Sequence, residues 1–237
     1  MSLSGQIAVV TGAGRGIGKS ISVSLAGAGA TVVLVSRTVE QLESVQRDIE
    51  SAGGKAVSIR ADITRQEEVA GLFGEVIRRF ARLDILVNNA GIGKFVSVKD
   101  MRVEDFDAMW NLNVRGLFLC TQQALPIMEQ QRNGIIVNIS SLAGKNALVN
   151  GAGYAATKWA VRGFAKSLML EERQYNIRIV TISPGSVDTD FAGHGTESSR
   201  AGKVLSPEDV AEAVLAAVNM HPRAMVSEID IRPTNPK

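Results

Sequence analysis

Seven short runs dense in β-branched and aliphatic residues recur along the chain: "IAVVT" at 7–11, "TVVLVS" at 31–36, "AVSIRA" at 56–61, "DILVNN" at 84–89, "GIIVNIS" at 134–140, "IRIVTIS" at 177–183 and "VSEIDI" at 226–231. Near-continuous apolar runs of this length predict strands buried on both faces. Between them the apolar positions fall at helical spacing, over about 16–28, 38–52, 65–80, 103–130, 154–174 and 207–220. The last of these opens on "SPED", which puts Ser206 at the N-cap and Pro207 at the first helical position. Strands joined by helix-length connections imply right-handed crossovers, hence an α/β architecture with a seven-stranded, mostly parallel, doubly wound sheet. No linker, charge block or repeat interrupts the pattern, so residues 1–237 are expected to form a single domain. The stretch 190–206, "DFAGHGTESSRAGKVLS", is polar, glycine-rich and without periodicity, and reads as a mobile loop.

Composition refines this picture modestly. With 45% hydrophobic but only 5% aromatic residues, the core should be built from Val, Ile, Leu and Ala. A formal charge of +2, with Lys and Arg spread along the chain, argues against a nucleic-acid or membrane-surface partner. The lone cysteine, Cys120, lies in an apolar run and reads as a buried structural thiol, so no oxidising compartment is implied. No basic leader precedes the first strand and no apolar run reaches about 18 residues, which favours the cytoplasm. His194 and His221 fit no metal-ligand spacing and read as surface residues.

The first strand runs straight into "TGAGRGIG" at 11–18. The spacing G-x-x-x-G-x-G, carried by Gly12, Gly16 and Gly18, suits a tight turn that brings backbone close to a pyrophosphate, whose charge meets the free N–H groups opening the next helix. The second strand ends not on a carboxylate, which would repel a ribose 2′-phosphate, but on Ser36 followed by Arg37. Arg15 lies inside the glycine turn, so two guanidiniums could converge on that phosphate. The pattern favours NADP(H); the plainer reading leaves Arg15 and Arg37 as solvated surface charges.

Farther along, "YAATK" at 154–158 sets a phenol and an ammonium one helical turn apart, on one face. A free phenol titrates near pH 10, and a neighbouring ammonium is expected to lower that value.

Taken in order, "TGAGRGIG", "NNAG" at 88–91, Asn113 in "NLNVRG", "ISS" at 139–141, "YAATK" and "SPGSVDT" at 183–189 resemble the classical short-chain dehydrogenases/reductases, single-domain Rossmann enzymes, over nearly the whole chain. The branch that looks closest contains the 3-oxoacyl-acyl-carrier-protein reductases, although this chain ends "RPTNPK" without the Gly-Gly tail usual there. The resemblance implies that Tyr154 is the catalytic acid/base and that Lys158 bonds the nicotinamide ribose. It also implies that Ser141 holds the substrate oxygen and that Asn113 supports Lys158 through a water. Structural readings stand beside the last two: a strand-end cap for Ser141, a buried polar group bonded to backbone for Asn113.

For the cofactor, the same resemblance assigns Asp62 to the adenine, Asn89 to the adenosine side, and Val187 and Thr189 to the carboxamide, with Pro184 and Gly185 shaping their turn. Ile17, Ile63, Ala90 and Gly91 complete that cradle. Asp62 has an alternative use as an N-cap near "DITRQEE". The resulting expectation is an NADP(H)-dependent oxidoreductase acting on a small-molecule carbonyl or secondary alcohol. An NAD(H)-dependent alcohol dehydrogenase of the same family and a non-catalytic NADPH-binding sensor are the alternatives. By analogy the protein should be a homodimer or homotetramer built on the long helices, with Gly151, Ala152, Gly153, Ala155 and Ala156 permitting close approach. The loop at 190–206 would act as a lid, protected from exchange over 190–204 when cofactor binds.

Overall fold

The computed structural model describes residues 2–189, 191 and 203–235. Strands and helices alternate as β1 (Ile7–Thr11), α1 (Gly16–Gly27), β2 (Thr31–Ser36), α2 (Val39–Ser51), β3 (Lys55–Arg60), α3 (Gln66–Phe80) and β4 (Ile85–Asn88). They continue with α4 (Val103–Trp110), α5 (Leu117–Gln131), β5 (Gly134–Ile139), α6 (Ala152–Glu172), β6 (Ile177–Pro184), α7 (Pro207–Val218) and β7 (Glu228–Ile231). All seven strands join one sheet in the order β3-β2-β1-β4-β5-β6-β7, and every pairing is parallel.

The near-continuous apolar strands follow from this layering. In β1, Ala8 and Val10 enter the core beneath α1, α2 and α7, while Ile7 and Val9 enter the one beneath α3, α5 and α6. In β2, Val32 and Leu34 go to the first and Val33 and Val35 to the second. Successive side chains on a strand point to opposite faces, so covering both faces demands apolar residues at consecutive positions. The two edge strands are the exceptions: β3 exposes Lys55 and Arg60, and β7 carries Glu228 and Asp230, charges that discourage pairing with a further strand.

Ser206 and Asp209 close a capping box on α7, each side chain accepting from the other's backbone N–H at 3.3 and 2.7 Å, with Pro207 in the first turn. Cys120 is fully buried, and burial pushes its thiol up to about 12, which fits a structural role. The single helix expected over 103–130 is instead interrupted: a π-helical stretch, Asn111–Gly116, separates α4 from α5. Such wide turns are frequent at functional sites, and Asn113 lies buried within this one. Among the described residues, no helix is long and apolar enough to cross a membrane.

Strand order reverses between β1 and β4, because the chain winds outward from β1 to β3 and then returns to pair β4 on the other side. The carboxyl ends of these strands open a crevice where ligands of doubly wound sheets bind.

Candidate active site

A cavity of about 1540 Å³ occupies that crevice, running from the glycine turn after β1 past the ends of β4 and β5 to the loop after β6. At one end, Gly12 has φ +66°, and a Cβ there would lie 2.9 Å from the Ala90 Cα; on Gly18 it would lie 2.2 Å from the Gly12 carbonyl oxygen. Only bare backbone allows strand β1, helix α1 and the turn after β4 to meet this closely. The residue before α1, Arg15, is extended and provides no side-chain cap, and the first turn of the helix carries no acidic residue. Its leading N–H groups therefore suit an anion.

Arg15, Ser36 and Arg37 all line this end. Both arginines are exposed, and neither enters an ion pair among the described residues. Ser36 makes a local turn, its hydroxyl donating to the Thr38 carbonyl and accepting from the Thr38 N–H. Asp62, Ile63, Asn89, Ala90 and Gly91 also border the cavity. The Asp62 carboxylate accepts from the Thr64 N–H and hydroxyl at 3.0 and 2.8 Å. Burial works to raise its carboxyl, but those bonds, with the charges of Arg37 and Arg65, hold it below its ordinary value. It does not cap α3, whose N-cap position is Arg65.

At the other end, Tyr154 and Lys158 project from α6, Ser141 follows β5, and Asn113 sits in the π-helical stretch. The Lys158 ammonium lies 5.7 Å from the centroid of the Tyr154 ring and donates to the Ile139 carbonyl at 2.9 Å. Ser141 accepts from the Ala143 N–H at 3.1 Å, capping a short 3₁₀ turn, and borders the same cavity as Tyr154. The strand-end cap expected as an alternative for Ser141 is present. Burial pushes Tyr154 up to about 12, with Ser141 pulling the other way, and burial brings Lys158 down to about 8. This reverses the expectation of a phenol lowered by its ammonium: both groups are buried, and desolvation outweighs an attraction acting over this distance.

The description of short chain dehydrogenases matches residues 6–199. The chain belongs to that family. Sepiapterin reductase of Chlorobaculum tepidum is 35% identical over 236 residues, covering 97% of this short-chain dehydrogenase and 96% of the relative. A metagenomic short-chain oxidoreductase solved in complex with NADP superposes with a TM-score of 0.88 at 38% identity over 99% of both chains. The alcohol dehydrogenase of the archaeon Thermococcus sibiricus, complexed with 5-hydroxy-NADP, gives 0.91 at 29% identity over 97% of both chains. This short-chain dehydrogenase is accordingly an oxidoreductase.

Within it, two assigned residues are held by bonds to the chain itself. The Asn89 amide donates to the Thr11 and Gly12 carbonyls at 2.9 and 3.3 Å, so its nitrogen fastens the glycine turn. Asn113 forms no hydrogen bond to Lys158 among the described residues. Its oxygen accepts from the Ile92 N–H at 2.8 Å, and its nitrogen donates to the Ile92 carbonyl and the Thr157 hydroxyl at 2.9 and 3.0 Å. Both side chains nevertheless converge on Gly91, where a Cβ would lie 3.1 Å from the Asn113 Oδ1 and 3.7 Å from the Lys158 Nζ. Gly153 is buried against Met101 and Met109 and Gly151 against Leu148, so these two pack within the chain.

Several contributors escaped sequence reasoning. Thr11 ties β1 to β4, donating to the Val87 carbonyl and accepting from the Asn89 and Ala90 N–H groups at 3.0 and 3.1 Å. Its place immediately before the first glycine was the available signal. Arg162 donates to the Gly144 carbonyl at 2.7 Å and pairs with Glu228, while Lys145 reaches Glu228 and Asp230 at 3.0 and 2.7 Å. This network pins the segment after Ser141 to α6 and β7, and nothing local in sequence announces it. Phe95, Phe191, Leu148 and Val149 also line the cavity. Pro184, Gly185, Val187 and Thr189 border it, and the Gly185 N–H is tied to the Ile231 carbonyl at 2.8 Å. His221 is exposed; His194 and most of the loop read as a lid lie outside the described residues.

Proposed function

We propose that the protein is an NADP(H)-dependent oxidoreductase that transfers hydride between nicotinamide and a carbonyl or secondary alcohol, with Tyr154 as the acid/base. The observation that carries this reading is the meeting of Ser141, Tyr154 and Lys158 on one cavity whose far end is the glycine turn. Gly12 and Gly18 supply a cradle that side chains would fill, and the uncapped start of α1 supplies N–H groups for a pyrophosphate. Arg15 and Arg37 are suited to the 2′-phosphate, and Ser36 leaves no carboxylate to repel it. Asp62 and Ile63 border the adenine side, and Asn89 and Ala90 shape the middle of the cradle. Pro184, Gly185, Val187 and Thr189 line the nicotinamide side.

When bound, the nicotinamide supplies or accepts the hydride. The chain's own part is positional and protonic. Ser141 holds the substrate oxygen beside the phenol. Tyr154, protonated at neutral pH as any phenol is and pushed further up by burial, has the proton that a reduced carbonyl oxygen requires. Lys158 orients the ribose and contributes positive charge, while Asn113, held by Ile92 and Thr157, supports Lys158 through a water. The two NADP-associated structural relatives support the cofactor choice by analogy.

We also expect a homo-oligomer assembled through the α4–α6 face, where Phe106, Trp110, Phe118 and Trp159 are exposed. The test of the function is a fluorescence titration with NADPH and NADH, followed by ketone turnover in the same samples. Tighter binding of NADPH with reduction of at least one ketone is the expected result. Equal binding of NADH would overturn the cofactor assignment, and binding without turnover of any carbonyl would favour a sensor.

A further inference from the structure

Two phenylalanines from separate segments close around the Tyr154 ring. Phe95, in the loop between β4 and α4, lies 5.2 Å from it, centroid to centroid, at 62°; Phe191, beyond β6, lies 5.8 Å away at 59°. Inclined pairs at these separations are favourable for aromatic rings. Gly93 makes the approach possible, since a Cβ there would stand 2.8 Å from Phe191 Cε1 and 3.0 Å from Phe95 Cε2.

The rings are only partly covered by each other. Phe95 remains 37% exposed and Phe191 39%, and with Leu148 at 45% and Val149 at 88% they line the cavity that holds Ser141 and Tyr154. Large apolar side chains gathered on a concave surface and left open to water mark a place where an apolar ligand body is received. The hydroxyls of Ser141 and Tyr154 are the polar groups that would fix such a body by its oxygen.

We propose that Phe95 and Phe191 form a specificity wall selecting carbonyl compounds whose carbonyl carbon bears an aryl or comparably bulky apolar group. The inference rests on the hydride-transfer reading above and deepens it to a substrate class. Small aliphatic ketones leave the wall exposed to water and gain only from the two hydroxyls. An aryl ketone covers both phenyl rings, and the burial of one ring in an apolar pocket discriminates by about tenfold or more.

The test compares kcat/KM for propiophenone and acetone with NADPH, in the wild type and in Phe95→Ala and Phe191→Ala. Calorimetric titration of propiophenone into the NADP⁺-saturated protein runs alongside. The wild type should prefer propiophenone by at least about tenfold, and each substitution should lower its kcat/KM by about tenfold while acetone changes by less than about threefold. Equal kcat/KM for the two ketones in the wild type, a comparison that needs no variant to fold, overturns the wall while hydride transfer stands. Equal losses for both ketones in the variants also overturn it. Propiophenone that binds, weakens in Phe191→Ala and is never reduced supports the wall and sinks the hydride-transfer reading instead. Absence of both binding and turnover overturns the wall.

Discussion

The two ends of the cavity are built by opposite means. At the glycine turn the surface is mostly backbone, drawn from the eight consecutive residues "TGAGRGIG" at 11–18, and its two cations are exposed. At the Tyr154 end the surface is side chain, gathered from the π-helical stretch, the end of β5 and α6, and its titratable groups are buried. The first end tolerates exposure because a turn and helix N–H groups recognise a charged ligand directly. The second depends on excluding water, which shifts both groups against their charged forms. Binding and chemistry should therefore fail separately when each end is damaged.

The sharpest way to break the comparison is Tyr154→Phe. Removing the hydroxyl should lower kcat by about a thousandfold while NADPH affinity stays within a few fold, read by steady-state kinetics and fluorescence titration. A matching loss of affinity would show that the two ends are not separable.

Lys158 gives the next largest effect, through pH. Its folded form titrates at about 8 against 10.5 for an ordinary lysine. Between those values the unfolded chain binds more protons than the folded one, so this residue makes stability rise with pH across that window, by about 3 kcal/mol in all. Denaturant unfolding at pH 8 and pH 10 should show about 2 kcal/mol of that gain in the wild type relative to Lys158→Met. Identical pH dependence in the two proteins would mean that Lys158 is not held in a desolvated site.

Damage to the other end should be milder for chemistry and direct for binding. Gly18→Ala places a methyl 2.2 Å from the Gly12 carbonyl oxygen and 2.5 Å from the Asn89 amide nitrogen. The strain should cost about 1–3 kcal/mol in stability and weaken NADPH binding more than tenfold, with thermal unfolding and titration as the measurements. The smallest effect is expected from Arg37→Ala, which should cut the preference for NADPH over NADH by about tenfold, leaving NADH affinity unchanged. A preference that survives this change and Arg15→Ala together would remove both guanidiniums from the cofactor assignment.

The contrast also explains what could be read in advance. The glycine turn was legible because its requirements are local: a strand, then glycines where side chains would collide. The pairing of Tyr154 with Lys158 was legible for the same reason, since one helical turn puts them on one face. The bonds that hold the site together were not. Asn113 reaches Ile92 and Thr157, and Arg162 reaches Gly144 and Glu228, across separations in sequence from 18 to 66 residues. Reading 103–130 as one helix missed the π-helical stretch because apolar spacing records which face is buried, not whether a turn is widened.

By itself the sequence determined the α/β class, the number of strands, the covering of both sheet faces, the glycine turn and the identity of the groups available for chemistry. These follow from periodicity and from steric and chemical rules acting over a few residues. Tertiary structure alone decided that Asn89 fastens a turn, that Phe95 and Phe191 enclose Tyr154, and that the phenol titrates higher rather than lower. Each of those depends on which distant segments exclude water from a given atom, and desolvation is a property of the packed whole.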